Sequence, residues 1–259
     1  MSLLIKNNAN VNKALYLAIK NDNTKILQNL INKIPNLNTE INNNPMIHIA
    51  AQLNILNSLE VLIKNGANIN LKNNDGDTAL NIALKFKNKK AAKIILNSNP
   101  DLSVKNNRQH NALYIAAQNQ IDELLPFLAP NSNILNQSLR LAINNNCKDS
   151  LAILLDFGNK YCKKYQISDN LFSLAAKISN VKIMIILTSK ITYTDKSGTC
   201  KETPLHVAVE NNNYDIADIL IKNGADIYKQ DLFSVSPYDI AKSKGKNKLY
   251  QDSPIIQHS

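Results

Sequence analysis

A short motif recurs along the chain at a nearly constant spacing, and this period constrains the fold more than any other feature of the sequence. The motif is an apolar residue, any residue, a second apolar residue and then alanine. It occurs eight times, and its closing alanines are Ala18, Ala50, Ala83, Ala116, Ala142, Ala175, Ala208 and Ala241. Successive alanines are 32, 33, 33, 26, 33, 33 and 33 residues apart. A fixed period of this length indicates stacked copies of one supersecondary unit.

The clearest copy, residues 203–228, predicts the structure of one unit. Thr203 suits a helix N-cap, and Pro204 suits the first helical position, where its missing N–H costs nothing. A second amphipathic helix follows and ends near Gly224. Because a pair of helices cannot bury both apolar faces alone, the units must stack, and we expect an all-α solenoid.

Three stretches resemble the ankyrin repeat: DGDTALNIA (Asp75–Ala83), ETPLHVA (Glu202–Ala208) and VLIKNGANIN (Val61–Asn70). The resemblance covers nearly the whole chain, as eight repeats and an N-terminal half-repeat. It implies an ankyrin-repeat solenoid of stacked helix-turn-helix units with short β-hairpin fingers. It also implies a protein-binding scaffold, in which the fingertips and the first helices line a concave groove.

The domain organisation follows from the one short spacing of 26 residues. The stretch LLIKNNANVN at Leu3–Asn12 resembles the end of a repeat, so we expect a half-repeat or cap over residues 1–12 and the next N-cap at Lys13. Repeats 1–4 then occupy residues 13–130, repeats 5–8 with a C-terminal cap residues 131–250, and a tail residues 251–259. Both blocks start with a connection that lacks a finger. Pro126 should kink the second helix of repeat 4, and we expect a bend or a widened gap near residues 126–137.

The histidine of the family pattern is replaced in repeats 3, 5, 6 and 8. The residues found there are Asn81, Arg140, Ser173 and Asp239. The polar network between neighbouring units is therefore expected to be incomplete in repeats 3, 5, 6 and 8.

The net charge of +10 raises the question of a nucleic-acid partner. The 30 basic residues comprise 28 Lys and two Arg, and the charge is spread evenly, with a net of +6 over residues 1–130 and +4 over residues 131–259. Arginine is the residue that binds phosphates and bases in bidentate fashion. We therefore expect a protein partner rather than nucleic acid, although binding of a polyanion through the lysines stays open.

Cysteine use and hydropathy indicate the compartment. Cys147, Cys162 and Cys200 form no CxxC pair and are odd in number, which favours a reduced intracellular, cytoplasmic protein without disulfides or a zinc site. No stretch approaches the ~20 apolar residues of a membrane span, and the N-terminus does not resemble a signal peptide. We expect a monomer without a membrane anchor.

No arrangement of residues predicts an enzyme or a cofactor. His48 and His206 occupy the histidine position of the repeat, where a structural role is far more common than a catalytic one. No phosphate-binding or metalloprotease motif is present. We expect no catalytic residue, no cofactor and no metal.

The phase of the repeat predicts the binding residues. Two residues close each first helix on the groove side, and finger residues add to them. The candidates are Gln52, Leu53, Lys85, Phe86, Gln118 and Asn119 at the helix ends, with Asn74, Asp75, Asp77, Lys105, Arg108 and His110 in the fingers. Phe86 is the strongest, because the inner face of its helix is already apolar; the alternative is that it packs beneath the turn at Asn88.

Two functions of different classes remain open. The first is a non-enzymatic interaction scaffold that holds a protein in the groove around repeats 2–4. The Asn- and Lys-rich composition resembles ankyrin proteins of intracellular bacteria and large DNA viruses, so this partner could be a host protein to which the protein is delivered as an effector. The second is the targeting or substrate-recruitment part of an enzyme whose catalytic part is not in this chain.

Overall fold

The computed structural model describes residues 8–34, 36–38, 40–41, 44–129, 131–161, 171–193, 195 and 201–245, and gives only the backbone for residues 8–10 and 41. The chain divides into two compact units, unit 1 (Met1–Pro130) and unit 2 (Asn131–Ser259). The expected bend at residues 126–137 concerns the join between these units and stays a prediction.

Unit 1 is built from helix pairs. Its described helices are α1 (Asn8–Lys20), α2 (Thr24–Ile31), α3 (Met46–Gln52), α4 (Leu56–Lys64), α5 (Ala79–Lys85), α6 (Lys89–Leu96), α7 (Ala112–Gln118) and α8 (Leu125–Leu128). The strands β1 (Glu40–Ile41) and β2 (Asn44–Pro45) form an antiparallel hairpin, with Glu40 opposite Pro45. The first helices α1, α3, α5 and α7 pack side by side, and the second helices α2, α4 and α6 form another layer behind them.

Unit 2 has the same two layers. Its described helices are α9 (Ser132–Asn144), α10 (Lys148–Tyr161), α11 (Leu171–Lys177), α12 (Val181–Lys190), α13 (Pro204–Glu210), α14 (Tyr214–Lys222) and α15 (Pro237–Ser243). The first helices α9, α11, α13 and α15 are neighbours, and so are the second helices α10, α12 and α14. The motif alanines of both units are at most 4% exposed, since a small side chain lets neighbouring helices approach closely. The predicted all-α solenoid is confirmed.

After the first helix of each repeat, a left-handed residue turns the chain. Four residues after each motif alanine the backbone has a positive φ, at Asp22, Asn54, Lys87, Gln120, Asn146, Ser179, Asn212 and Gly245. In the first seven repeats the next backbone N–H donates to the carbonyl of the motif alanine, at 2.8–3.4 Å. This bond satisfies a carbonyl that the helix end would otherwise leave without a donor.

Two first helices are longer than the rest, and this corrects the expected cap at Lys13. Six of the first helices have 7 residues, whereas α1 and α9 have 13 each. Lys13 lies inside α1, which begins at Asn8 and runs through the expected boundary between residues 12 and 13. Without a finger before the motif, the chain can continue the helix backwards, and the buried Val11 and Leu135 extend its apolar stripe by another turn.

The expected kink at Pro126 is also wrong. The second helix of repeat 4 is a 3₁₀ turn, Asp122–Leu124, followed by the single turn of α8. Pro126 is in the first turn of α8, where a backbone N–H has no helical acceptor. The proline therefore lies at a helix start and breaks no helical hydrogen bond.

Candidate functional site

The predicted binding residues at the helix ends are at the surface. Gln52, Lys85 and Gln118 are the last residues of α3, α5 and α7, and all three are exposed. The residue after each is Leu53, 44% exposed, Phe86, 54% exposed, or Asn119, which is half-buried.

Phe86 stands out because its helix does not need it for the core. Residues 79–84 of α5 are all buried, so the helix is already covered on its inner side. Phe86 follows as the C-cap residue and is more than half exposed. The structure therefore favours the surface position over packing beneath Asn88, whose side-chain amide instead donates to the carbonyls of Ala51 and Gln52 in the preceding repeat.

The fingers of repeats 3 and 4 are closed by asparagines that the sequence analysis did not select. The side-chain oxygen of Asn73 accepts from the backbone N–H groups of Asp75 and Asp77, at 3.0 and 2.9 Å. Asn106 does the same for Arg108 and His110, at 3.0 Å each. Both lie ten residues before a motif alanine, so the period carried a signal for them. These bonds hold each fingertip in one conformation.

The predicted finger residues differ in accessibility. Asn74, Asp75 and Arg108 are exposed, whereas Lys105 and His110 are half-buried. Asp77 is 2% exposed, so it supports the finger from inside and is not a contact residue.

The carboxylate of Asp77 connects the two repeats. It forms an ion pair with Lys85 at the end of α5 and accepts from the side-chain amide of Asn106 at 2.8 Å. Since a buried carboxylate is stable only when it is paired and hydrogen-bonded, these contacts fix the positions of Lys85 and of the repeat 4 finger.

His110 lies where the finger of repeat 4 meets α7. Its ring contacts Tyr114, with 4.5 Å between ring centroids. Burial, followed by the charges of Arg108 and Lys85, lowers the pKa of His110 below 6.5. Two cationic side chains from different repeats therefore both lower the pKa of this imidazole. We call Leu53, Lys85, Phe86, Arg108 and His110 the Lys85–Phe86 surface.

His48 and His206 are buried at the structural position that the repeat predicts for them. His206 is fully buried, and its Nδ1 accepts from the backbone N–H of Thr203 at 3.0 Å, which places the proton on Nε2. Nε2 donates to the carbonyl of Val235 in the finger of repeat 8, at 3.0 Å. His48 is 1% exposed and lies near the backbone of Leu71 and Asp77, but neither of its ring nitrogens makes a hydrogen bond among the described residues.

The residues that replace the histidine differ in their hydrogen bonding. The side-chain nitrogen of Asn81 and the hydroxyl of Ser173 make no hydrogen bond within the described residues, which agrees with an incomplete network in repeats 3 and 6. In repeat 8, Asp239 caps its own helix, because its carboxylate accepts from the backbone N–H of Ser236 at 2.9 Å.

A second apolar surface, in unit 2, was not predicted. Leu232 and Phe233 form the fingertip of repeat 8 and are 55% and 76% exposed. Asp231 closes this turn as Asn106 does in unit 1, and it accepts from the backbone N–H groups of Phe233 and Val235 at 2.8 and 3.0 Å. The same finger geometry can therefore present polar or apolar side chains.

An open cavity of about 400 Å³ lies between α1 and α2, lined by Ala14, Leu17, Ala18, Asn21, Asn23, Ile26 and Leu30.

In the described part of the chain, no three His, Cys, Asp or Glu side chains are grouped so that they could hold a metal ion. Across the same residues, no helix combines the length and apolar character needed to cross a bilayer. Cys147 is half-buried, and Cys162 and Cys200 lie outside the described residues.

The comparison with protein families agrees with the repeat architecture. The family described as "Ankyrin repeats (3 copies)" matches residues 1–73, 47–138 and 139–231. The chain belongs to the ankyrin repeat family. Ankyrin repeats are generally protein–protein interaction modules and typically non-catalytic scaffolds, and they imply a protein partner.

Two curated relatives match part of the chain. The human (Homo sapiens) protein "Transient receptor potential cation channel subfamily A member 1" is 25% identical over 192 residues, which is 71% of this chain and 15% of the relative. "Alpha-latrotoxin-Lg1a" of Latrodectus geometricus is 36% identical over 91 residues, which is 33% of this chain and 7% of the toxin. The chain thus spans a small fraction of the length of both relatives.

Among solved structures, the ankyrin repeat domain of Bcl-3, a member of the IkappaB protein family, aligns with a TM-score of 0.45 and 17% identity. The alignment covers 92% of this chain and 97% of that chain.

Proposed function

We propose that unit 1 binds a segment of a partner protein across the Lys85–Phe86 surface. The observation that carries this proposal is Phe86, which is 54% exposed at the end of a helix whose core positions are already filled. A large aromatic side chain surrounded by polar groups is typical of the residues that dominate binding energy at protein interfaces.

The rigidity of the surface supports the same function. Lys85 is held by Asp77, and the finger that carries Arg108 and His110 is closed by Asn106. A surface whose side chains are fixed before binding loses less conformational entropy when the partner docks. Because Lys85 and the finger of repeat 4 are already held in place, less conformational entropy is lost when a partner segment binds here.

The remaining candidates flank this surface. Gln52, Gln118 and Asn119 lie at the ends of α3 and α7, and Asn74, Asp75 and Lys105 lie in the fingers. We expect them to form the polar rim, where single substitutions have small effects.

The test is partner capture with a matched pair of variants. The first variant combines Phe86→Ala with Arg108→Ala. The control combines Phe127→Ala with Lys90→Ala, which removes an aromatic side chain of similar exposure, 63% against 54% for Phe86, and one exposed cation from the second helices. We expect wild type and control to retain the same proteins from a lysate and the first variant to lose them. Identical recovery by both variants would refute the proposed surface.

The identity of the partner is a separate proposal. A host-cell protein is the expected target, with the protein acting as a monomeric effector in the cytoplasm, on the basis of the composition alone. Proximity labelling in cells that contain the protein, with the Phe86→Ala and Arg108→Ala variant as control, would identify it. Labelling that is the same for both proteins would contradict a host partner at this surface.

A further inference from the structure

From the charges beside Phe86, we infer that the partner segment is acidic: an extended peptide that carries Asp or Glu together with one or two aliphatic or aromatic side chains. This inference rests on the proposed function and names the chemistry of the partner at the same surface.

The apolar half of the surface comes from two neighbouring repeats. Leu53 and Phe86 are the C-cap residues of α3 and α5, and these two helices pack against each other. Packed helices have axes about 8–10 Å apart, so one short peptide can contact both side chains. Leu53 and Phe86 therefore provide the contact for the apolar residues of the partner.

The polar half is cationic. Lys85 and the finger that carries Arg108 are joined through Asp77, whose carboxylate pairs with Lys85 and accepts from the side-chain amide of Asn106, so the two cations lie in one region. Asp77, the carboxylate that pairs with Lys85, is 2% exposed and lies beneath them. A docking peptide consequently meets Arg108 and the exposed part of Lys85. The exposed carboxylates in the segments before α5 and α7 are Asp75 and Asp101.

Arg108 is placed for a carboxylate. Its backbone is fixed by Asn106, and its side chain is exposed at the fingertip. A guanidinium binds a carboxylate through two parallel hydrogen bonds, which gives both direction and strength. The carboxylate of the partner is therefore expected at Arg108, with Lys85 and His110 beside it.

The same residues favour a peptide over nucleic acid. Unit 1 contains a single arginine, and the Lys85–Phe86 surface combines two cations with two exposed apolar side chains. Phosphate backbones are bound mainly through many cations, with strong dependence on salt. An acidic peptide uses both halves of this surface.

The experiment is selection of a random twelve-residue peptide library on the immobilised full chain, with counter-selection on the Phe86→Ala, Arg108→Glu variant. We expect the enriched peptides to contain Asp or Glu in excess of Lys and Arg, together with Leu, Ile or Phe. Replacement of the acidic residues by Asn or Gln, or Arg108→Gln in the protein, should each weaken binding of a synthetic peptide about tenfold. Arg108→Glu should restore binding to a peptide in which Lys replaces the acid.

Three results would overturn the inference. They are enrichment of neutral or basic peptides, equal binding to wild type and Arg108→Glu, and no peptide that depends on the surface. A twelve-nucleotide single-stranded DNA that displaces the peptide, with affinity insensitive to Phe86→Ala, would assign the surface to nucleic acid instead. If partner capture depends on Phe86 and Arg108 while the selected peptides are not acidic, only this inference fails and the proposed function stands.

Discussion

The finger of repeat 4 in unit 1 and the finger of repeat 8 in unit 2 are closed in the same way but are anchored to the preceding repeat differently. In unit 2, Nε2 of His206 donates to the carbonyl of Val235, which lies 29 residues later. In unit 1, the corresponding position is Asn81, and its side-chain nitrogen has no hydrogen bond among the described residues. The link there is ionic, from Asp77 to Lys85, with Asn106 donating to the same carboxylate.

This difference shows that the finger is separable from the link that anchors it. Asn106 and Asp231 each accept two backbone N–H groups in the same pattern, so the turn needs no histidine. The ionic link, however, ends in a lysine at the surface. In unit 1 the residues that anchor the finger therefore also shape the proposed binding surface.

The largest expected effect comes from breaking the histidine link. His206→Ala should destabilise the protein by about 3 kcal/mol, because it removes two buried hydrogen bonds and leaves a cavity. Asn81→Ala, the matched change in repeat 3, should cost only about 1 kcal/mol. Urea unfolding followed by far-UV circular dichroism measures both, and equal losses would show that the histidine link has no special role.

A methyl group between the fingers of repeats 3 and 4 should have the next largest effect. Gly76 has φ +74°, and a Cβ there would lie 2.8 Å from the backbone nitrogen of Asn107. At Gly66, where φ is +87°, an added Cβ would have no heavy atom within 4 Å. Gly76→Ala should therefore cost about 2–3 kcal/mol and Gly66→Ala about 1 kcal/mol, the latter from the backbone alone. Comparable losses in urea unfolding would mean that contact between the fingers contributes little.

The buried histidine of repeat 2 makes stability depend on pH. Burial lowers the pKa of His48 from 6.5 to about 4, and the backbone of Leu71 and the carboxylate of Asp77 only partly oppose this. Between these two values the unfolded chain binds more protons than the folded one. Above about pH 6.5 the protonation of His48 therefore does not affect stability. As the pH falls towards 4, it lowers the free energy of unfolding by roughly 2–3 kcal/mol.

Unfolding in urea at pH 7.5, 6 and 4.5 measures this loss. The His48→Asn variant carries the residue that repeat 3 has at the same position. Its loss of stability at low pH should lack the contribution of His48 and keep that of His110. A variant with the pH dependence of wild type would contradict the assignment.

The smallest expected effect is a gain. Asn81→His would give repeat 3 the residue of repeat 7 and place an imidazole within reach of the carbonyl of His110, again 29 residues later. One additional buried hydrogen bond stabilises by about 1 kcal/mol. A rise in the urea midpoint would show that the two links can coexist, whereas a fall would show that the ionic link leaves no room for the histidine.

Much of the fold followed from the sequence because burial in a helical repeat is a local pattern. The motif alanines and the apolar residues around them recur at helical spacing, and the structure buries those alanines. The left-handed residue could be predicted in five of the eight repeats, where it is Asn, Asp or Gly, which adopt positive φ readily. In the other three repeats it is Lys87, Gln120 or Ser179, which gives no such indication. The sequence did not show that α1 and α9 begin several residues before the motif. In the other repeats a finger occupies those residues, so the first helix begins later.

The candidate surface was predictable only in outline. Phase placed Lys85 and Phe86 at the end of α5, and both are exposed there. It also placed Asp77 at the surface, whereas this residue is buried beneath Lys85. Local sequence could not show this, because the partners of Asp77 are the ammonium of Lys85 and an amide 29 residues away in the next repeat.

The sequence by itself determined the period, the helix pairs and the membership of an ankyrin-type solenoid, since these depend on apolar spacing within each unit. Only the tertiary structure decided which polar side chains become buried links and which stay available to a partner. The physical reason is that a polar group is stable in the interior only where a specific partner lies within hydrogen-bond distance. For Asp77 and His206 that distance is set by the stacking of one repeat on the next.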